Sequence, residues 1–159
     1  MLNTQDWMTA GQVETNVTLT IILFIFYSIV GALIEHAHYG VAQLIDPENA
    51  PEKAWINPVV TGFPIYGLCA LLVLGIYKAV IEPYRLGIVA EFVIYSATIT
   101  LIELLVGIYV GAGKDSYIDG KVESWDYSKS RFNYDGKIDL YHTLGYGVLG
   151  ILLVRLTPV

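Results

Sequence analysis

The sequence contains few charges and almost no cysteine. Charged residues make up 15% of the 159 positions, well below the roughly 25% of ordinary soluble domains. Residues 17–34 and 57–77 carry no charge, and the first basic residue is Lys53. The single cysteine, Cys69, excludes an intrachain disulfide. Nine basic residues stand against fifteen acidic ones, with no basic run. This balance does not favour nucleic-acid binding, and we expect no nucleic-acid partner.

The sequence contains several long apolar segments. Hydrophobic residues make up 55% of the chain, and the mean hydropathy is +0.55. A bilayer core about 30 Å thick is crossed by about 20 apolar residues in a helix. Four stretches fit this length, at about 17–38, 59–81, 86–111 and 139–156. We therefore expect an all-α, multi-pass membrane protein: one domain over residues 1–159 with four transmembrane helices surrounded by membrane lipids.

Four alternating spans place the two long loops on one side of the membrane. We call this side the loop end, and the opposite side, which carries the short turn at 82–85, the turn end. Loop 38–58 is rich in proline and charge and is predicted to be solvated turn. Loop 112–138 is longer, and residues 116–123 fit a small β-hairpin with a two-residue turn.

Ionisable residues within the spans gather towards the loop end. Such residues are costly in a membrane and are typical of functional sites. Glu35 and His38 end the first span, and Glu103 lies about 7 Å beyond the middle of the third. Because of its depth, Glu103 needs a polar partner, which we expect to be either Arg131 or His142. The candidate catalytic residues are Glu103, Glu35, Asp126 and His142.

A metal site is the weaker interpretation of the same residues. Glu35 and His38 have the spacing of a Glu-x-x-His motif, which di-iron helix bundles use twice. Asp139 and His142 only approximate the second copy, so we predict no metal. The weak candidate ligands are Glu35, His38, Glu103 and His142. The sequence points to no particular cofactor.

Two separated motifs resemble a known membrane family. The loop contains Trp125-Asp126-Tyr127-Ser128, followed by Arg131-Phe132-Asn133 and Gly136-Lys137-Ile138. This run resembles the Trp-Asp-Tyr-Ser … Phe-Asn … Gly-Arg-Ile signature of the small ABC-transporter permeases of type IV, to which the transmembrane protein 229 group is similar. The second span opens with Pro64-Ile65-Tyr66-Gly67, which resembles a second motif of that family.

The resemblance covers residues 25 to 150, almost the entire chain. It implies a four-helix membrane unit with a motif-bearing loop folded over one end. Glu35 and Glu103 fall where the family has membrane glutamates. Two departures stand out: Lys137 takes the place of a family arginine, and residues 112–124 form a polar insertion.

Three functions remain open from the sequence. The first is a non-catalytic subunit or scaffold of a membrane assembly, which binds other membrane subunits or itself through the loop. The second is a membrane enzyme that acts on a lipid-like substrate, with Glu103 as acid or base. The third is a permease-like transport component, in which Glu35 and Glu103 bind a cation. Residues 125–133, which we call the lid, are predicted to plug one end of the bundle, to form the wall of a small-molecule or lipid-headgroup pocket, or to contact a partner.

Overall fold

A computed structural model describes residues 10–45, 47–48, 52–53, 63–118, 121–122 and 124–158. Four long helices dominate it: α1 (Ala10–Ile45), α2 (Phe63–Ile76), α4 (Ile88–Val110) and α5 (Leu140–Leu156). A π-helical turn (Tyr77–Ile81) and the short helix α3 (Glu82–Tyr84) continue α2, so that one span runs over Pro64–Tyr84. Left-handed Arg85, with φ of 50°, then reverses the chain towards α4.

Helix α1 differs from the sequence prediction at both ends. It has 36 residues, which corresponds to about 54 Å, instead of the predicted span 17–38. The prediction of solvated turn from residue 38 is therefore wrong up to Ile45, because residues 39–45 contain no proline or charge and continue the helix. The proline-rich remainder of that loop lies largely outside the described residues.

Three helical segments are long and apolar enough to cross a membrane: Asn16–Ile45, Pro64–Tyr84 and Ile88–Val110. Their lipid-compatible surfaces are extensive, since large aliphatic side chains along them are exposed. Helix α5 is apolar but shorter, with 17 residues, or about 25 Å. The protein is therefore an integral, multi-pass membrane protein with a predominantly helical fold.

Glycines bring the helices together in two pairs. On α1 and α2, a Cβ atom on Gly67 would overlap Ser28 and the Phe24 carbonyl, and one on Gly31 would overlap Tyr66. Without side chains at these positions, the two helices approach closely. On α4 and α5, Gly150 makes room for Tyr95 in the same way. Tyr95 belongs to the small core that joins the pairs, with Val73, Leu74, Ile81 and Val154.

Short antiparallel strand pairs shape the loop between α4 and α5. Strand β2 (Tyr117–Ile118) pairs with β3 (Lys121–Val122), within the region where the sequence predicts a small hairpin. Strand β4 (Trp125–Asp126) pairs with β1 (Glu52–Lys53), which ties the two long loops together. Strand β5 (Asn133–Tyr134) pairs with β6 (Ile138–Asp139) and leads directly into α5.

Candidate functional site

The lid is held against the end of α4 by its tryptophan. The Trp125 Nε1–H donates to the Lys137 carbonyl oxygen at 2.8 Å. The ring lies over Gly107, where a Cβ atom would come within 3.2 Å of Cζ2. Gly111, four residues later, ends α4 in a left-handed conformation with φ of 68°. Gly107 and Gly111 have the GxxxG spacing that often pairs two helices. In this chain Gly107 instead lies under the lid, and Gly111 caps the end of α4.

Polar side chains of the lid close its own turns. Asp126 Oδ1 accepts a hydrogen bond from the Ser128 backbone N–H at 2.8 Å. Asn133 Oδ1 accepts from the Gly136 N–H at 2.8 Å, and its Nδ2 donates to the Ser130 carbonyl at 2.6 Å. These bonds are the local turn closures that Asp and Asn side chains favour. Asp126, a candidate catalytic residue, is therefore engaged in holding the turn.

Glu103 is bound by two tyrosines. Its Oε1 accepts hydrogen bonds from the Tyr127 hydroxyl at 3.0 Å and from the Tyr146 hydroxyl at 2.6 Å. Burial raises the pKa of the Tyr127 phenol well above its ordinary value, so this group stays a protonated donor. The predicted partner Arg131 does not fill this role, because its exposed guanidinium lies over the Phe132 ring, 5.1 Å from the centroid.

His142 lies beside this pair and is oriented by the helix cap. Asp139 is the N-cap of α5: its Oδ1 accepts from the His142 backbone N–H at 2.8 Å and lies 2.8 Å from His142 Nδ1. The imidazole stacks on the Tyr127 ring with centroids 4.3 Å apart, and the His38 ring meets its edge at 5.2 Å. His142 therefore contacts the tyrosine that binds Glu103.

A cavity of about 510 Å³ lies between the two helix pairs. Its loop end brings together the predicted residues Glu35, His38, Glu103 and His142, with Trp125 and Tyr127 of the lid. Towards the turn end its walls are aliphatic. Although four candidate metal ligands line this cavity, no three His, Cys, Asp or Glu side chains within the described ranges are grouped so as to hold a metal ion.

Other lid residues face outwards. Arg131 and Phe132 are exposed, the latter by 51% of its surface. Just beyond the lid, Lys137 is buried, and its Nζ pairs with Asp135 Oδ2 at 2.6 Å. This hydrogen bond and the charge of Lys137 lower the pKa of the half-exposed Asp135 carboxyl. Lys137, which replaces the family arginine, thus anchors the turn next to the lid.

Sequence reasoning missed Tyr146, the closest donor to Glu103. A signal was present, because Tyr146 lies four residues after His142 and therefore on the same face of the helix. The remaining buried membrane carboxylate, Glu91, is far from this site at the turn end. It accepts a hydrogen bond from Arg155 at 2.7 Å.

The second predicted motif, Pro64-Ile65-Tyr66-Gly67, lies in the first turns of α2. Tyr66 covers Gly31, and Gly67 lies against Ser28, so these two residues form the close contact between α1 and α2. Ile65 and Tyr66 also line the cavity. The motif therefore sets the spacing of the helix pair that forms one cavity wall.

Comparison with known proteins identifies the family of the chain. A family model described as "Putative ABC-transporter type IV" matches residues 22–158, which include both motifs, Glu35 and Glu103. No curated protein and no solved structure matches the chain. Because the match covers most of the sequence, the chain belongs to this family of ABC-transporter-type membrane proteins.

Proposed function

We propose that the protein is a non-catalytic subunit or scaffold component of a membrane assembly, and that the outer face of the lid contacts a neighbouring subunit. The observation that carries this proposal is that polar groups of the lid form hydrogen bonds within the chain. Trp125, Asp126, Tyr127 and Asn133 all make internal hydrogen bonds. A segment held in this way is a preformed surface, which loses little conformational entropy on binding.

The outer face of the lid has the composition of a contact surface. Arg131 and Phe132 are exposed side by side, and Tyr134, directly after the lid, is 65% exposed. Aromatic residues and arginine are enriched at protein interfaces and in their energetic centres. Loop Lys129 is exposed as well, and its Nζ lies 3.4 Å from the Glu48 carbonyl oxygen. These side chains give a partner both apolar area and positive charge.

The hydrogen bonds of Glu103 and His142 support a structural role for both residues. Glu103 Oε1 is occupied by two tyrosine hydroxyls, and His142 Nδ1 by the helix cap. These bonds join α4, α5 and the lid into one unit. Such a rigid end would present a partner with a preformed surface.

The test is gentle extraction of the tagged chain from its native membrane, followed by particle mass measurement and identification of every copurifying chain. We expect a particle larger than the 17.6 kDa protomer. Substitution of both Arg131 and Phe132 by alanine is expected to reduce the copurifying subunit at least several-fold. Extraction of the unchanged chain as a lone protomer would contradict the proposal.

A matched control exists at the turn end, where Lys78 and Tyr84 are also an exposed basic and aromatic pair. Substitution of both by alanine removes a similar charge and a similar area on the opposite side of the membrane. We expect this variant to retain the partner. Equal loss in both double variants would mean that the lid is not the contact surface.

A further inference from the structure

The cavity between the helix pairs has the size and shape of a binding site for an amphiphile. Its volume of about 510 Å³ lies within the range of small-molecule sites, roughly 300–1,000 Å³. Along α5 it extends from Tyr141 to Leu156, about 22 Å at 1.5 Å per residue. The cavity thus runs along the membrane normal, as an acyl or alkyl chain does.

The two ends of the cavity differ in chemistry. Most of the wall is apolar, and it includes the aliphatic side chains of Val30, Val73, Ile99, Leu149 and Leu153. The loop end carries the polar groups, where the carboxyl groups of Glu35 and Glu103 come together with aromatic rings and two histidines. An apolar tail therefore fits the interior, and a polar head fits the loop end.

The charges at the loop end select the type of head group. Two glutamates line the cavity, whereas the described residues that line it include no lysine or arginine. A phosphate or carboxylate head would meet two carboxyl groups there, and the described lining offers it only the imidazoles of His38 and His142 as basic groups. An ammonium head would give Glu103, whose Oε2 has no hydrogen-bond partner within the described residues, the cationic partner that suits a membrane carboxyl group.

Aromatic rings around the same end favour the same head. The lining there includes Tyr39, Tyr66, Trp125, Tyr127 and Tyr146. Ammonium groups, quaternary ones included, bind over the faces of tyrosine and tryptophan through cation–π attraction. Aromatic faces beside carboxyl groups are thus suited to a trimethylammonium group as well as to a primary amine.

Three buried polar atoms of the lining still need a partner. Ser124 is 3% exposed, and its Oγ has no hydrogen-bond partner among the described residues. The same holds, within that part of the chain, for Glu103 Oε2 and His142 Nε2. Because buried polar atoms are normally hydrogen-bonded, these atoms indicate that a ligand or water completes the loop end.

We infer that the cavity binds an amphiphile with an aliphatic tail and an ammonium head group, whose head lies at Glu103 and Glu35 beneath Trp125. This inference goes beyond the proposed function and does not depend on it. Partner contact uses the outer face of the lid, whereas the ligand lies beneath the lid.

The experiment uses Trp125 as a reporter. Substitution of Trp7 and Trp55 by phenylalanine leaves Trp125 as the sole tryptophan of the full chain. The variant is reconstituted in lipid nanodiscs and titrated with a chain-brominated alkyltrimethylammonium, which quenches tryptophan on contact. The matched probe is the brominated alkanoate of equal chain length. We expect saturable quenching by the ammonium probe and only weak, non-saturating quenching by the anionic one.

Two variants test the site separately. Glu103→Gln replaces one carboxyl group, which can pair with a cation as carboxylate, by a neutral amide and is expected to weaken ammonium binding about tenfold, which corresponds to 1.4 kcal/mol. Gly145→Leu fills the cavity, since Gly145 lines it and a Cβ atom there meets open space. We expect this variant to fold normally and to lose saturable quenching. Its control is Gly75→Leu, also in open space but away from the cavity lining.

Three results would overturn the inference. They are equal quenching by the two probes, quenching that never saturates, and unchanged binding in the folded Gly145→Leu variant. The first would show that the loop end does not select an ammonium head. The second would show partition of the probe into the surrounding lipid, and the third would show that the probe binds outside the cavity. None of these results bears on partner copurification, so the two proposals fail independently.

Discussion

Glu103 shows how a membrane carboxyl group is accommodated by single side chains. Two tyrosine hydroxyls from different parts of the chain, Tyr127 in the lid and Tyr146 on α5, converge on one oxygen. Tyrosine is suited to this position because its ring packs against apolar neighbours while its hydroxyl donates. A glutamate deep in the third span thereby links two helices and the loop.

The Tyr146 hydroxyl is predicted to stabilise the fold through this bond. Tyr146→Phe keeps the ring but removes one donor to a buried carboxyl group, so we expect a loss of about 1–2 kcal/mol in the free energy of unfolding. The measurement is reversible unfolding of purified protein in detergent. Tyr141→Phe is the control, because Tyr141 lies on the same helix and is 60% exposed. Equal stability of the two variants would mean that the bond contributes nothing.

At the level of the helices, glycine placement decides which pairs form. The polar face of an ordinary amphipathic helix is absent, because the spans are apolar all round and face lipid. Packing must therefore come from close approach of the helix backbones. Gly31 and Gly67 provide it between α1 and α2, while Gly147 and Gly150 provide it between α4 and α5.

Substitution of Gly67 is predicted to separate α1 from α2. In Gly67→Ala the new methyl group would overlap Ser28 and the Phe24 carbonyl, so a helix must shift at a cost of about 1–3 kcal/mol. The thermal unfolding temperature in detergent reports this cost. Gly75→Ala is the matched control on the same helix, where a methyl group meets nothing within 4 Å. If both variants unfold at the same temperature, the close contact is not needed.

In the part of the chain that the structure describes, two helix pairs enclose a cavity, with a lid over one end. This arrangement requires α5 to reach across the bilayer, although it has 17 residues against the 23 of α4. Its length of about 25 Å is a little less than a typical hydrocarbon core of about 30 Å, a mismatch that bilayers accommodate by local thinning. The four-span arrangement therefore remains a prediction for α5.

Cysteine labelling tests that arrangement. In a Cys69→Ala background, single cysteines replace Glu82, Lys129 or Pro158, all of which are exposed. A maleimide that cannot cross the membrane is added to sealed vesicles of known orientation. We expect positions 82 and 158 to react from one side and position 129 from the other. Reaction of positions 129 and 158 from the same side would show that α5 does not cross.

Much of the architecture follows from the composition alone. Apolar runs of membrane length, separated by polar loops, determine an all-α, multi-pass protein because an unpaired backbone is too costly in lipid. The alternation of the spans also places Glu35, Glu103 and His142 towards one end. Family membership, indicated by the Trp125–Ser128 and Pro64–Gly67 motifs, is confirmed by the match over residues 22–158.

The hydrogen-bond partners of Glu103 could be identified only from the folded chain. The predicted partner of Glu103 was Arg131 or His142, yet a tyrosine hydroxyl from the lid and one from α5 bind it. Periodicity places side chains on a helix face, but it does not say which neighbouring helix that face meets. The glycine contacts determine how closely the helices pack, and thereby the cavity and the groups that line it.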